Sequence, residues 1–308
     1  MLSTMNTRAL KHFLALADSL HFGRASDACN ISISALSRNI RQLEDELGVL
    51  LFNRDNRSVS LTTEGHTFQR YAKEATAQWD LVCNELADNA SDQLRGKVSM
   101  YCSVTASYSI LFDLLNRFRQ DYPGIEIKLH TGDPEHAIAR ILAGEEDITI
   151  AAHPRTLPRG LVFKPITVSP LLFIAPSVQS DPDVPMTLPT SPTQWGNVPM
   201  ILSEGGIARQ RTDTWFREMG ETPRIYAQVT GNEAIVSMVS LGLGVGVVPK
   251  IVLDHSPLAD RIQTWNVQPA LEPYDVGLFT LKKNLKNPLV NAFWSLVADK
   301  ASLRNMQQ

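Results

Sequence analysis

Residues 32–48 read SISALSRNIRQLEDELG, and the fold of the first sixty or so residues turns on what this segment is. Leu36, Ile40, Leu43 and Leu47 step by four, three and four, the period of an α-helix with one buried stripe. At about 100° per residue, Ser34, Arg38, Arg41 and Asp45 fall roughly opposite that stripe, and Ser37 lies on its flank. Gly48 is a C-cap glycine by position. The exposed face is hydroxyl and guanidinium in its first half. Glu44, Asp45 and Glu46 crowd its second half.

This polarity suits a helix that enters a DNA major groove by its N-terminal end and leaves its far end outside. Arginine reads guanine through O6 and N7. Serines at a helix start bind phosphate with help from the unpaired backbone N–H groups there. The candidate DNA contacts are Ser32, Ser34, Ser37, Arg38 and Arg41, with Arg54 and Arg57 flanking a hairpin downstream. Taken alone, the same face reads equally as a solvated amphipathic surface. Charge does not decide between them. Residues 1–62 carry seven basic and six acidic side chains, and the whole chain has a net charge of -3. Any polyanion binding must come from a local patch.

Working outward, one helix is expected over residues 6–19, where Leu10, Phe13, Leu14 and Ala17 keep helical spacing, and a short second helix from Gly23. Past Gly48, Val59 and Leu61 alternate with polar residues, which predicts a hairpin turning at Asp55 and Asn56. A long helix capped by Thr62 or Thr63 then runs to about residue 89. Phe68, Ala75 and Val82 interleave with Ala72, Trp79 and Leu86 as a heptad seam. Packing on the helix's own domain competes with a two-chain coiled coil. Its position between two domains favours the coiled coil, so these six residues are expected to dimerise the chain.

From residue 97 the order β-α-β-α-β predicts an α/β domain with a parallel sheet, and a similar order recurs after Pro170. At 308 residues, 44% hydrophobic and 20% charged, the chain has material for two or three soluble domains. The N-terminal apolar run is broken by Lys11, His12 and Asp18, which argues against a signal peptide, and no stretch is long enough to span a membrane. Cys29, Cys83 and Cys102 have no metal-ligand spacing and read as reduced thiols of a cytoplasmic protein. No Ser-His-Asp order, zinc motif or P-loop is present, so neither an enzyme nor a metal site is expected. The glycines Gly242, Gly244 and Gly246 follow a helix and enter a strand, the reverse of a dinucleotide fingerprint.

Residues 21–65, HFGRASDACNISISALSRNIRQLEDELGVLLFNRDNRSVSLTTEG, resemble the winged helix-turn-helix of LysR-type transcriptional regulators. Phe22, Ala25, Ala28, Ser34, Leu36, Ser37, Ile40, Leu43, Glu44, Leu47, Gly48, Leu51, Phe52, Arg54, Leu61, Thr62 and Gly65 match that family's positions without a gap. The glutamine typical of the early recognition helix is absent, and Ile33 and Ser34 occupy that region.

The resemblance extends over the rest of the chain. It implies a DNA-binding domain at 1–62, a linker helix at 63–91 and a two-lobed, periplasmic-binding-protein-like effector domain at 97–308. Lobe I would take 97–164 and 268–308, and lobe II 165–267. It further implies a homodimer on an inverted-repeat operator, commonly assembled to a tetramer, that contacts RNA polymerase as an activator. A small anionic effector would sit between the lobes, at strand C-termini and helix N-termini. Chain order then nominates Ser103, Thr105, Thr131, Gly132, Ser203, Gly231 and Asn232, with Arg209 or Arg211 for a carboxylate. Each hydroxyl taken singly is also an ordinary helix cap.

Within the family, residues 52–62, 101–109, 125–133 and 232–249 are most similar to activators of the ketol-acid reductoisomerase gene of branched-chain amino acid biosynthesis. That implies acetolactate or acetohydroxybutyrate as effector and no cofactor. A solute-binding protein or an enzyme on an α/β core is the distant alternative.

Overall fold

The computed structural model describes residues 6–54, 58–87, 94–177 and 189–297. In the first unit, Met1–Gln93, Asn6 caps α1 (Thr7–Ser19) by accepting from Ala9 N at 2.9 Å. α2 (Phe22–Ala28) and α3 (Ile33–Leu47) follow. β1 (Phe52–Arg54) and β2 (Val59–Leu61) pair antiparallel as a small wing, and α4 (Thr63–Ala87) leaves it. The hairpin turn foreseen at Asp55 and Asn56 lies outside the described residues, as does Arg57.

Phe13, Leu16, Ala25, Leu36, Ile40, Leu43, Phe52, Phe68 and Ala72 form one core. Phe13 packs on Phe52 and Phe68 with ring centroids 5.3 and 4.8 Å apart. Each fully buried ring of this kind contributes about 2–3 kcal/mol. Two expectations fail here. Leu47 does not join the buried stripe: it is 40% exposed, and Glu44, one turn earlier, is buried at 5%. The reason is the wing, which closes over Glu44 and not over Leu47. The heptad seam also divides. Phe68 and Ala72 are buried in this unit's own core and Ala75 packs against it, because α1 lies along the first turns of α4. Trp79 and Val82 are 52% and 47% exposed, and the Leu86 side chain lies outside the described residues.

The second unit, Leu94–Gln308, holds two five-stranded sheets. Its elements begin with β3 (Gly96–Cys102), α5 (Val104–Ser109), α6 (Leu111–Asp121), β4 (Ile125–Thr131), α7 (Ala137–Leu142), β5 (Ile148–Ala152) and β6 (Leu161–Ser169). The chain then crosses to β7 (Leu171–Pro176), α8 (Pro192–Trp195), β8 (Pro199–Ser203), α9 (Gly206–Glu218), β9 (Arg224–Val229) and α10 (Asn232–Ser240). β10 (Val245–Pro249), α11 (Lys250–Asp254) and β11 (Ile262–Trp265) complete the second sheet. β12 (Tyr274–Leu281) and α12 (Pro288–Ser295) return to the first.

The strand orders are β4-β3-β5-β12-β6 and β9-β8-β10-β7-β11. In each, three parallel strands are followed by an antiparallel one. The sheets are thus mixed, not purely parallel, because the strand that enters each sheet directly after an inter-lobe crossing, β7 in one and β12 in the other, runs antiparallel to its neighbour. β6 runs to Ser169, five residues past the lobe boundary expected at 164. It escapes a sequence reading because Pro165 interrupts it. Proline is tolerated there because β6 is an edge strand, and Pro165 meets Gly277 at a register irregularity. A Cβ on Gly277 would lie 2.2 Å from Lys164 O, so the close approach at that irregularity requires glycine. The helix expected over residues 109–122 starts after a break at Ile110, which separates α5 from α6.

Candidate DNA-binding and effector sites

Ser32 caps α3: its Oγ accepts from Ala35 N at 3.2 Å and lies 3.0 Å from Ser34 Oγ. Ser32, Ser34, Arg38 and Arg41 are exposed, and Ser37 is half-buried. Among the described residues, neither Arg38 nor Arg41 has a hydrogen bond or ion pair, so both guanidinium groups are available to an outside acceptor. The helix is anchored behind them. Asn39 Nδ2 lies 2.9 Å from His12 Nδ1 on α1. Burial, and then nearby Arg8, hold His12 below its ordinary pKa, so the neutral ring accepts this bond at physiological pH.

Arg54 has a different environment. Its Nη2 pairs with Glu44 Oε2, and its guanidinium lies 5.7 Å from the centre of the Phe22 ring. Glu44 Oε1 also accepts from Leu51 N at 2.9 Å and Phe52 N at 3.2 Å. One buried carboxylate thus fastens the wing to α3, and Arg54 completes its coordination. Thr62 caps α4 by accepting from Gly65 N at 2.9 Å, while its hydroxyl donates to Leu50 O at 2.8 Å. A Cβ on Gly65 would stand 2.1 Å from Leu51 O, so the wing and α4 approach this closely only because residue 65 is glycine.

In the second unit, a cavity of about 310 Å³ opens between the two sheets. Asp133, Glu135, His153 and Arg155 come from the first sheet's side, and Ser203, Arg211, Gly231 and Asn232 from the second's. Tyr274 lies at the return crossing. A smaller adjoining pocket of about 60 Å³ is lined by Ser103, Thr105, Asn232 and Tyr274.

Six of the nine nominated effector residues therefore line one cavity or the other: Ser103, Thr105, Ser203, Arg211, Gly231 and Asn232. Thr131 and Gly132 line neither. Thr131 is exposed at the end of β4. Gly132 instead lets Tyr101 come close, since a Cβ there would be 2.5 Å from its hydroxyl, which donates to Asp133 O at 2.8 Å. Arg209 is also turned elsewhere. Its Nε holds Asp213 at 2.9 and 3.0 Å, and its Nη1 donates to Ser203 O and Gln228 Oε1 at 2.9 Å each.

The charged residues of the cavity are those a search for hydroxyls passes over. Asp133 and Glu135 stand in TGDPE, where Asp133 caps the turn by accepting from Glu135 N at 2.8 Å. Their signal was the D-P-E sequence itself. His153 and Arg155 follow the β5 strand end by the same rule that nominated Ser103. Burial raises the Tyr274 phenol well above its ordinary pKa, with Arg211 pulling the other way, so the hydroxyl stays protonated.

Inter-lobe contacts use carboxylates. Thr105 N donates to Glu233 Oε1 at 2.9 Å and Thr105 Oγ1 donates to the same oxygen. Gly231 N donates to Asp133 Oδ2 at 3.1 Å.

Residues 7–66 match the model for the bacterial regulatory helix-turn-helix proteins of the lysR family, and residues 91–302 match the LysR substrate binding domain. The chain is a LysR-type transcriptional regulator. Members of this family regulate transcription and are not enzymes.

The HTH-type transcriptional activator IlvY of Haemophilus influenzae is 42% identical, over 94% of this chain and 98% of that relative. IlvY of Salmonella typhimurium is 40% identical, over 95% of this chain and 99% of its own length. IlvY of Escherichia coli K12 is 39% identical over the same shares. Among solved structures, a full-length OxyR variant from Pseudomonas aeruginosa has a TM-score of 0.70 at 23% identity, covering 96% of this chain and 95% of that one. Full-length CbnR in complex with its target DNA has a TM-score of 0.61 at 22% identity, covering 95% and 99%. These structural likenesses establish the fold, and the IlvY relatives establish an activator of the LysR type.

Among the described residues, no cluster of three or more His, Cys, Asp or Glu side chains could hold a metal ion, and no helix is long and apolar enough to cross a membrane. Burial raises the Cys29 thiol and pushes Cys102 up to about 12, so neither carries a thiolate at neutral pH.

Proposed function

We propose that this regulator activates the ketol-acid reductoisomerase gene of branched-chain amino acid biosynthesis in the cytoplasm. Its effector is acetolactate or acetohydroxybutyrate, bound in the inter-lobe cavity. The observation that carries the reading is identity of about 40% to IlvY activators over nearly the whole of both chains, effector domain included. The cavity chemistry agrees: about 310 Å³ with arginine, hydroxyl and amide groups suits a small hydroxy-keto carboxylate.

DNA contact is assigned to Ser32, Ser34, Ser37, Arg38 and Arg41, with the exposed half of α4 pairing two chains so that two α3 helices meet an inverted repeat. Dimers assemble to a tetramer, and effector-driven movement of the lobes changes the contact with RNA polymerase.

The test is an electrophoretic shift on the intergenic DNA upstream of the protein's own gene, with and without acetolactate. A specific shift is expected. Arg38→Ala and Arg41→Ala should each weaken it roughly tenfold or more, the worth of one arginine–guanine contact. Wild-type affinity in both variants would refute the assignment of α3.

A further inference from the structure

Several polar groups around the inter-lobe cavity are already engaged. Thr105 gives both its donors to Glu233, and Ser103 Oγ accepts from Ala106 N at 3.2 Å. Gly231 N, at the head of α10, donates a hydrogen bond to Asp133 Oδ2. The Glu135 carboxylate lies against Gly205 at the head of α9, where a Cβ would meet both its oxygens at 2.4 Å. Three of the chain's own carboxylates thus stand at the positions that strand and helix order reserves for a ligand anion. A second negative charge brought among them is repelled.

Arg211 differs from these groups. Its side chain is 10% exposed and lines the main cavity, stacked 5.3 Å from the centre of the Tyr274 ring. Its Nη1 donates to Glu272 O. Its buried Nε makes no hydrogen bond, and among the described residues none reaches Nη2 either. That edge of a guanidinium is the one that takes a carboxylate side-on. A buried N–H without an acceptor costs about 1–3 kcal/mol, more on a charged group. The nearest carboxylate is Glu272, with Oε2 3.6 Å from Arg211 Nε and 3.9 Å from Arg155 Nη2, on a side chain 64% exposed. It neutralises the arginine pair from solvent without bonding it.

We propose that Arg211 anchors the effector's carboxylate through its Nε–Nη2 edge, that the effector displaces Glu272 there, and that Asp133 and Glu135 restrict the site to monocarboxylates. This rests on the reading of the cavity as the effector site. A ligand of this class turns a hydroxyl or an apolar end toward Asp133 and Glu135. A dicarboxylate would set its second charge against them.

The experiment is titration calorimetry of the full-length protein with acetolactate, its methyl ester, 2-hydroxyisobutyrate and malate. The wild type is expected to bind a monocarboxylate at least tenfold more tightly than the ester or malate. Arg211→Gln should lose roughly 10- to 100-fold in affinity for the acid, as expected for a charge-assisted pair, and with it the preference for acid over ester. Glu272→Gln should bind the acid severalfold more tightly. The operator shift of ligand-free Arg211→Gln checks that the variant is folded. The acid–ester comparison in wild type and the Glu272→Gln titration need no change at Arg211. Equal binding of acid and ester, an unchanged preference in Arg211→Gln, or no saturable binding by any monocarboxylate would overturn the anchor. Each of those results leaves the DNA-binding assignment to its own shift experiment.

Discussion

Glu44 shows how much one residue decides. In the sequence it is the first of three acids, equivalent by charge to Asp45 and Glu46. In the structure it is buried and accepts from two backbone N–H groups and from Arg54. Its removal leaves those donors without an acceptor inside the unit, and breaking a buried pair costs about 3–5 kcal/mol. Glu44→Ala should therefore lower the denaturation midpoint of the DNA-binding unit and weaken operator binding, although Glu44 itself is buried. Equilibrium unfolding in urea beside a shift assay reads both effects. A midpoint equal to wild type would show that the wing holds without this carboxylate. Arg38 and Arg41 have the same formal charge as Arg54, yet only Arg54 is spent on the protein itself.

Among elements, α4 changes environment along its length. Its heptad spacing is continuous, but α1 covers its first turns, so Phe68 and Ala72 stabilise one chain. Trp79 and Val82 remain half exposed, and apolar surface of that kind on a long helix is the material of a coiled-coil partner face. If α4 pairs two chains as proposed, Trp79→Glu with Val82→Glu should lower the oligomeric state in sedimentation velocity while leaving the melting of the DNA-binding unit near wild type. Phe68→Ala should do the reverse, creating a core cavity at a cost of about 3–5 kcal/mol. A dimer that survives the double glutamate variant would put the interface elsewhere.

At the scale of the molecule, the effector domain is two mixed sheets joined by two crossings, with carboxylates bonding lobe to lobe. Asp133 and Glu233 each accept from a backbone N–H of the other lobe. If they hold the lobes in register, Asp133→Ala with Glu233→Ala should raise amide hydrogen exchange at the heads of α5 and α10. The interiors of β5 and β10 should keep their protection. Unchanged exchange at both helix heads would assign lobe closure to apolar packing alone.

Much of this protein was written in short-range pattern. The buried stripe of Leu36, Ile40 and Leu43, the Ser and Arg face opposite, and the strand–helix alternation after residue 97 are local periodicities, and local backbone geometry honours them. The rim serines, threonines and glycines were legible for the same reason, as residues that follow strands. The tertiary structure alone decided the pairings. It buried Glu44 and exposed Leu47, gave half of the α4 seam to its own domain, and accepted Pro165 at a sheet edge. It also engaged Arg209 with Asp213 while leaving the Arg211 edge without a hydrogen bond. These outcomes depend on which groups from distant parts of the chain compete for one donor, one acceptor or one patch of apolar surface. A helical period tells which face a residue takes and carries no information about what arrives to meet it.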